Sequence, residues 1–300
     1  MKTRLMLALA IALPAAATAQ HEPTAAQVRA VEANLHPQTG DIAIPGANAT
    51  LHLGQGYYYL PPDEAKRVLT DVWGNPPAVA DGVLGIVLPA GKTASSSVWG
   101  AVITYENSGY VTDDDAQTAD YDGILTQLRS GEEENNRQRR EQGYPAMNLV
   151  GWAQPPAYDR ATHSVVWARD LKVAGSPVDS LNYDVRLLGR GGVLSLNMLA
   201  DMPHLDEVRA AAASFGRTAE FTAGQRYADF SEAKGDKRAG YGLAGLVAAG
   251  VGIAAAKKLG LLALALGFGK KFLVIIAVAL AGAKRLFGKL FGPKDDGTPA

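Results

Sequence analysis

Period-two alternation of apolar and polar residues dominates the middle of this chain. Leu181 to Leu188 reads Leu-Asn-Tyr-Asp-Val-Arg-Leu-Leu, Gly189-Arg190-Gly191-Gly192 turns the chain, and Val193 to Leu199 returns. That pattern predicts a β-hairpin. Ser164 to Leu171 sets Val165, Trp167 and Arg169 opposite Val166 and Ala168. With Asn148 to Trp152 before it, it predicts a two-stranded meander with His163 at the turn. Gln154-Pro155-Pro156 either ends the first of these strands or marks it as an edge. Asp41 to Tyr59 predicts a hairpin about Pro45-Gly46-Ala47-Asn48, and Val83 to Leu88 and Trp99 to Tyr105 predict two further strands. His52 alternates with Leu51 and Leu53, which puts it on a solvent face rather than in a ligand set.

Helical spacing is confined to short stretches. Thr24 to Leu35 predicts one helix. Pro61-Pro62-Asp63-Glu64 opens a second, with Ala65, Val68, Leu69 and Val72 on one face and Gly74-Asn75-Pro76-Pro77 as its stop. Ile124, Leu125 and Leu128 mark a third, Glu132 to Glu141 a solvated fourth, and Leu205 to Phe215 a fifth with Gly216 past its end. A short strand or extended exit follows near Phe221.

The pattern breaks at both ends. Lys2 and Arg4 precede a short apolar run from Leu5 to Leu13, and Ala17-Thr18-Ala19 offers small residues at a cleavage site. This predicts a signal peptide over 1–19, since the run is short of the ~20 residues that span a bilayer. An uncleaved N-terminal anchor is the competing reading. The exported domain is then expected over 20–230, a polar linker over 231–238, a membrane anchor over 239–292 and a tail over 293–300. Lys257-Lys258 and Lys270-Lys271 cut the apolar tract into Ala239–Ala256 and Leu259–Ala283. A lysine at a span centre costs roughly 2.5–3.5 kcal/mol on insertion scales. Two crossings would also carry Lys284, Arg285, Lys289 and Lys294 outside, so a single crossing is favoured.

Composition adds a few exclusions. The net charge is −1, which argues against a nucleic-acid binder. There is no cysteine, so disulfides, thiolate metal sites and a cysteine nucleophile are excluded. The chain carries no nucleophile elbow, zinc-protease motif, phosphate loop or dinucleotide fingerprint. Its candidate chemistry is the run Asp113-Asp114-Asp115 with Asp122 and His163. Carboxylate oxygens suit a hard cation, but the run lacks the spacing of a calcium loop, and a helix cap is the simpler reading. No metal site and no cofactor is expected.

Several segments together resemble a bacterial family catalogued as domain of unknown function 2167. They are Gly109-Tyr110-Val111 with the acid run, Asp120-Tyr121-Asp122, and Leu149-Val150-Gly151-Trp152-Ala153 with Tyr158-Asp159. Thr162-His163, Trp167-Ala168, Leu181-Asn182-Tyr183, Leu188-Gly189-Arg190, Tyr227-Ala228-Asp229-Phe230 and Tyr241-Gly242 continue the match. The resemblance implies a signal peptide, an exported domain and a C-terminal membrane segment, and carries over no catalytic residue. The expected fold is α+β, a largely antiparallel sheet with packed helices, by analogy an α/β/α sandwich of the Mog1/PsbP kind, plus the C-terminal transmembrane segment. Two functions stand open. One is a non-enzymatic module of the cell envelope, held to the bilayer and binding an envelope protein partner. The other is a hydrolase or metal-dependent enzyme using the acids at 113–122 with His163.

Overall fold

A computed structural model describes residues 23–250 apart from 76 and 142. The first half of the chain holds β1 (Asp41–Ile44), β2 (Ala49–His52), β3 (Tyr57–Leu60), β4 (Val83–Pro89), β5 (Trp99–Glu106) and β6 (Tyr110–Thr112). The second half holds β7 (Met147–Asp159), β8 (Ser164–Val173), β9 (Ser180–Leu188), β10 (Val193–Asp201), β11 (Ala219–Phe221) and β12 (Arg238–Gly242). The helices are α1 (Ala25–Glu32), α2 (Pro62–Arg67), α3 (Tyr121–Ser130), α4 (Glu132–Glu141), α5 (Leu205–Thr218) and α6 (Leu243–Ala249). The expected signal peptide lies outside the described residues.

The fold is α+β and centres on a seven-stranded sheet ordered β3-β4-β5-β10-β9-β8-β7. Every pairing in it is antiparallel. The β9–β10 hairpin sits in the middle, as the Leu181 to Leu199 alternation predicts. Strand β7 is one of the two edges, with Pro155 and Pro156 inside it and register shifts around them. The prolines therefore mark an edge and do not end the strand, because an edge strand has a row of N–H groups with no ladder partner to lose.

One sheet face packs on α5 and on the small sheet β1-β2-β11. Leu181, Tyr183, Val185, Leu194, Leu196 and Met198 meet Val208, Ala212 and Phe215 of α5 there. Helix α5 runs through Gly216 to Thr218 rather than stopping at Phe215. The helix preference of one glycine, about 1 kcal/mol below alanine, is a weak stop against that packing. The opposite face is covered at its two ends. Leu60, Ala65, Val68 and Leu69 of the α2 region meet Ile86, Leu88 and Val102 at one end. Val111, Ile124, Leu243, Leu246 and Val247 meet Val165, Trp167, Leu188 and Val193 at the other.

That second cover corrects the expected boundary at residue 239. Ser231 to Arg238 is not a free linker. It carries a 3-10 turn over Glu232–Lys234, and Asp236 receives the Arg190 guanidinium at 2.7 and 2.8 Å. Strand β12 then pairs parallel with β6. Helix α6 follows with Leu243, Leu246 and Val247 fully buried. Its start is held by Asp115, whose two oxygens accept from the Leu243 and Ala244 backbone N–H groups at 2.9 Å each. The approach at both ends is close enough to require glycine. A Cβ at Gly242 would lie 2.7 Å from Asp115 Oδ1, and one at Gly250 would lie 2.6 Å from Trp167 Cζ2. Residues 239–250 thus belong to the folded domain. Among the described residues no helix is long and apolar enough to cross a membrane. The rest of the expected anchor, 251–292, and the tail lie outside the described residues.

Candidate functional site

The acid run divides among separate tasks. Asp113 lies just past β6 and receives hydroxyl hydrogen bonds from Tyr158 at 2.9 Å and Tyr227 at 3.2 Å, with Arg160 Nε at 3.9 Å. The Tyr158 hydroxyl also lies 3.1 Å from His163 Nδ1. Asp113 and His163 are therefore joined, but through a tyrosine that sequence reasoning passed over. His163 holds a left-handed backbone at φ 48°, in the tight turn between β7 and β8 that sequence alternation expected. Few side chains adopt that conformation, though histidine does so more readily than most. The remaining candidates do not converge here. Asp115 caps α6. Asp114 and Asp122 are exposed, and Asp122 sits in the first turn of α3. The cap of α3 is Asp120, which accepts from Gly123 N at 2.8 Å. The acids do cap helices, but two of them, and one caps a helix 128 residues away. Among the described residues no three His, Asp or Glu side chains group as metal ligands.

Around Asp113 the aromatic rings form a ladder. His163 stacks on Tyr227 at 4.3 Å, Tyr227 on Tyr110 at 4.4 Å, and Tyr110 on Phe230 at 4.0 Å. Arg238 closes it over Phe230 and Tyr110. Burial, then the hydrogen bond to Asp113, pushes the Tyr158 phenol well above the usual tyrosine range. Burial and the neighbouring Tyr110 push Tyr227 higher still. Both phenols are fixed donors to a carboxylate. The cluster ties β6, the β7–β8 turn and the segment after β11 together, and every polar atom named has a partner.

The middle of the sheet's second face holds a different set. The register puts Arg169 beside Asn182 and Trp167 beside Asp184, and then Asp184 beside Asn197 and Asn182 beside Leu199. Asp184 is wholly buried, and Arg169 is 8 % exposed. Asp184 accepts from Arg186 Nη2 at 2.7 Å, from Asn197 Nδ2 at 2.9 Å and from Arg169 Nη2 at 3.5 Å. Asn182 accepts from Arg169 at 2.9 Å and from Asn197 at 2.7 Å. Arg186 also lies over the Trp167 ring at 5.3 Å. Burial lowers the Arg169 pKa, Asp184 opposes that effect and Arg186 reinforces it. An arginine nevertheless stays charged. Two cations thus share one buried carboxylate, and the Nε atoms of both arginines are buried with no partner among the described residues. Asn182, Arg186, Asn197, Thr104 and Leu199 are half-buried. Beside Leu199, and lined by none of the cluster's polar residues, lies a cleft of about 320 Å³ formed by Trp73, Val98, Trp99, Gly100 and Leu199 with Asn75, Ser97 and Asp201.

This site was missed because Asn182, Asp184 and Arg186 alternate with apolar residues, the pattern of a solvated strand face. The signal that could have found it is Arg169, which shares a strand face with Trp167 and Val165.

The model of a protein family of unknown function, DUF2167, matches residues 36–281. The chain belongs to that family. The match runs through the whole sheet and both polar clusters, and past Gly250 into the apolar tract. No curated protein matches the chain. Among solved structures it is similar to the solution structure of cyanobacterial PsbP (CyanoP) from Synechocystis sp. PCC 6803, at 10 % identity and a TM-score of 0.34. That similarity covers 63 % of this chain and 92 % of the other.

Proposed function

We propose that this chain is a membrane-held binding module of the cell envelope, with the domain on the exported side, and that it acts by binding an envelope partner rather than by catalysis. The observation that carries the reading is the docking of α6. The domain stays packed up to Gly250, against Trp167, and the apolar tract begins at once, with no polar spacer between. Such a junction holds a domain close to whatever the tract enters. It also bears on the number of crossings. With Ala239 to Gly250 committed to the domain, the first of the two possible spans keeps only residues 251–256. Leu259–Ala283 remains as the one long apolar stretch, and a single crossing leaves Lys284, Arg285, Lys289 and Lys294 on the cytoplasmic side.

The enzymatic alternative draws on Asp113 and His163. Their setting favours a structural part, because Asp113 is held by two phenols and His163 stacks on Tyr227 at the end of an aromatic ladder, while Asp115 caps α6 and Asp122 sits in the first turn of α3. The test is carbonate extraction of membranes from cells making the full chain, next to a chain stopped after Gly250. Full-length protein should stay with the membrane and the stopped chain should leave it. A full-length chain released by carbonate would refute the anchor. A phosphatase reporter after Ala300 should be inactive, since one crossing places it in the cytoplasm.

A further inference from the structure

We propose that the cleft beside Leu199 binds a small organic monocation, a primary ammonium on a compact apolar body, with the ammonium at Asp201 and the body against Trp73. The floor of the cleft follows from the register. Leu199 of β10 pairs with Gly100 of β5, and Asp201 follows Leu199 at the strand period of two, so all three positions share the second face. Gly100 has no side chain, and the edge of the Trp73 ring takes up that space: a Cβ at Gly100 would lie 2.5 Å from Trp73 Cη2. The segment that delivers Trp73 has a special backbone. Val68–Val72 forms a π-helical turn, closed by the Trp73 N–H donating to Val68 O at 2.9 Å. Such turns are rare and are frequent at functional sites. Gly74 then takes a left-handed φ of 65°, and Asn75 is pinned to Leu69 O by its N–H at 2.9 Å and its Nδ2 at 3.2 Å.

The polar atoms of the lining select the charge. Trp73 Nε1 donates to Ala94 O at 3.0 Å and Ser97 Oγ to Trp99 O at 2.5 Å. With these donors and Asn75 Nδ2 engaged, the lining offers mainly acceptors, Asn75 Oδ1 and the two Asp201 oxygens. Asp201 has no ion-pair partner among the described residues, whereas Asp179 and Asp206 hold Lys172 and Arg209. A cation entering the cleft meets a free carboxylate, and an anion meets a like charge. Of the two tryptophans only Trp73 offers a ring. Trp99 is 3 % exposed, with its ring against Tyr57 and Phe215 on the first face. The Trp73 indole is half-buried with its N–H engaged, so it presents carbon surface, which draws a cation or the methylene beside it. At about 320 Å³ the cleft lies at the small end of small-molecule sites and has room for one ring with its ammonium arm. The inference goes beyond membrane attachment, which carbonate extraction tests, so either idea can fail alone.

The experiment is isothermal titration of the full chain in neutral detergent with benzylammonium and with benzyl alcohol, its uncharged counterpart, using empty micelles as the blank. The amine should bind saturably and the alcohol at least ~5-fold more weakly. Asp201→Asn should weaken the amine at least ~5-fold, and so should Trp73→Leu. Circular dichroism melts confirm that each variant is folded. Glu133→Gln, which removes an exposed carboxylate on α4, should leave binding unchanged. Asp201 is exposed and its side chain has no hydrogen bond or ion pair among the described residues, so Asp201→Asn folds and tests the proposal even where Trp73→Leu does not. No saturable binding of the amine overturns the proposal. So does a smaller loss with the alcohol or in Asp201→Asn, unchanged binding in folded Trp73→Leu, or an equal loss in Glu133→Gln.

Discussion

Leu246→Ala tests whether α6 is part of the domain core or merely the first turn of an anchor. Leu246 is 1 % exposed and packs with Leu243, Val247 and the Trp167 side of the sheet. Truncating a buried leucine removes its transfer energy and leaves a cavity, together about 2–5 kcal/mol. A seven-residue helix at one end of the fold can relax inward, so the lower part of that range applies, about 2–3 kcal/mol. With a urea dependence of about 2–3 kcal/mol per molar, the unfolding midpoint should fall by about 1 M. The assay is pulse proteolysis of the full chain in neutral detergent across a urea series, following the domain band. Asp115→Ala removes both acceptors at the α6 start and should cost about 1–2 kcal/mol by itself. The double variant should lose less than the sum, because undocking α6 surrenders both contacts at once. A Leu246→Ala loss under about 0.5 kcal/mol, the size of an ordinary surface change, would refute the docking.

Tyr158→Phe strips one donor from Asp113 and breaks the link to His163, and should cost about 1–3 kcal/mol in the same assay. Tyr158 and Tyr227 hold their protons above the free tyrosine range, so the folded state binds protons that the unfolded state gives up. Stability is then complete below pH ~10 and declines as pH rises beyond it, and ultraviolet titration should show these phenols ionising only with unfolding; reversible ionisation of all tyrosines near pH ~10 contradicts this. The hydrogen bond that His52 donates to Asp41, then the one it donates to Glu220, raises the pKa of this exposed histidine, so its small contribution is full below ~6.5 and is lost as pH climbs through the folded value. Proton NMR of His52 should give a midpoint above ~6.5 that Asp41→Asn brings down, and an unmoved midpoint counts against the pairing. Calcium or magnesium should leave the melting temperature unchanged, because Asp113 and Asp115 are already engaged by phenols and by α6. A saturable rise abolished by Asp113→Asn with Asp115→Asn would show a cation site instead.

The antiparallel sheet was legible because its strands announce themselves locally. Alternation from Leu181 to Leu199 and from Ser164 to Leu171 sets which side chains share a face, and the hairpin turns set the neighbours. What each face meets is not local. Asp184 and Arg186 fall at every second position of a strand, a pattern that by itself points to solvent. Their burial depends on Arg169, two strand crossings of register and the covers contributed by α3 and α6, none of which a single strand reveals. The pairing of Asp113 with His163 was half visible, since both stood out in the sequence, but Tyr158 joins them only because β7 and β8 pair so that residue 158 lies near the turn. The α6 boundary failed for a different reason. Leu243, Leu246 and Val247 fall at i, i+3 and i+4, the spacing of a helix that packs on a core, yet they open an apolar tract that continues for dozens of residues. The length of that tract masks the periodicity of its first turns. The polar residue that decides the matter, Asp115, lies 128 positions upstream, where its cap on α6 could not be seen as more than one acid in a run.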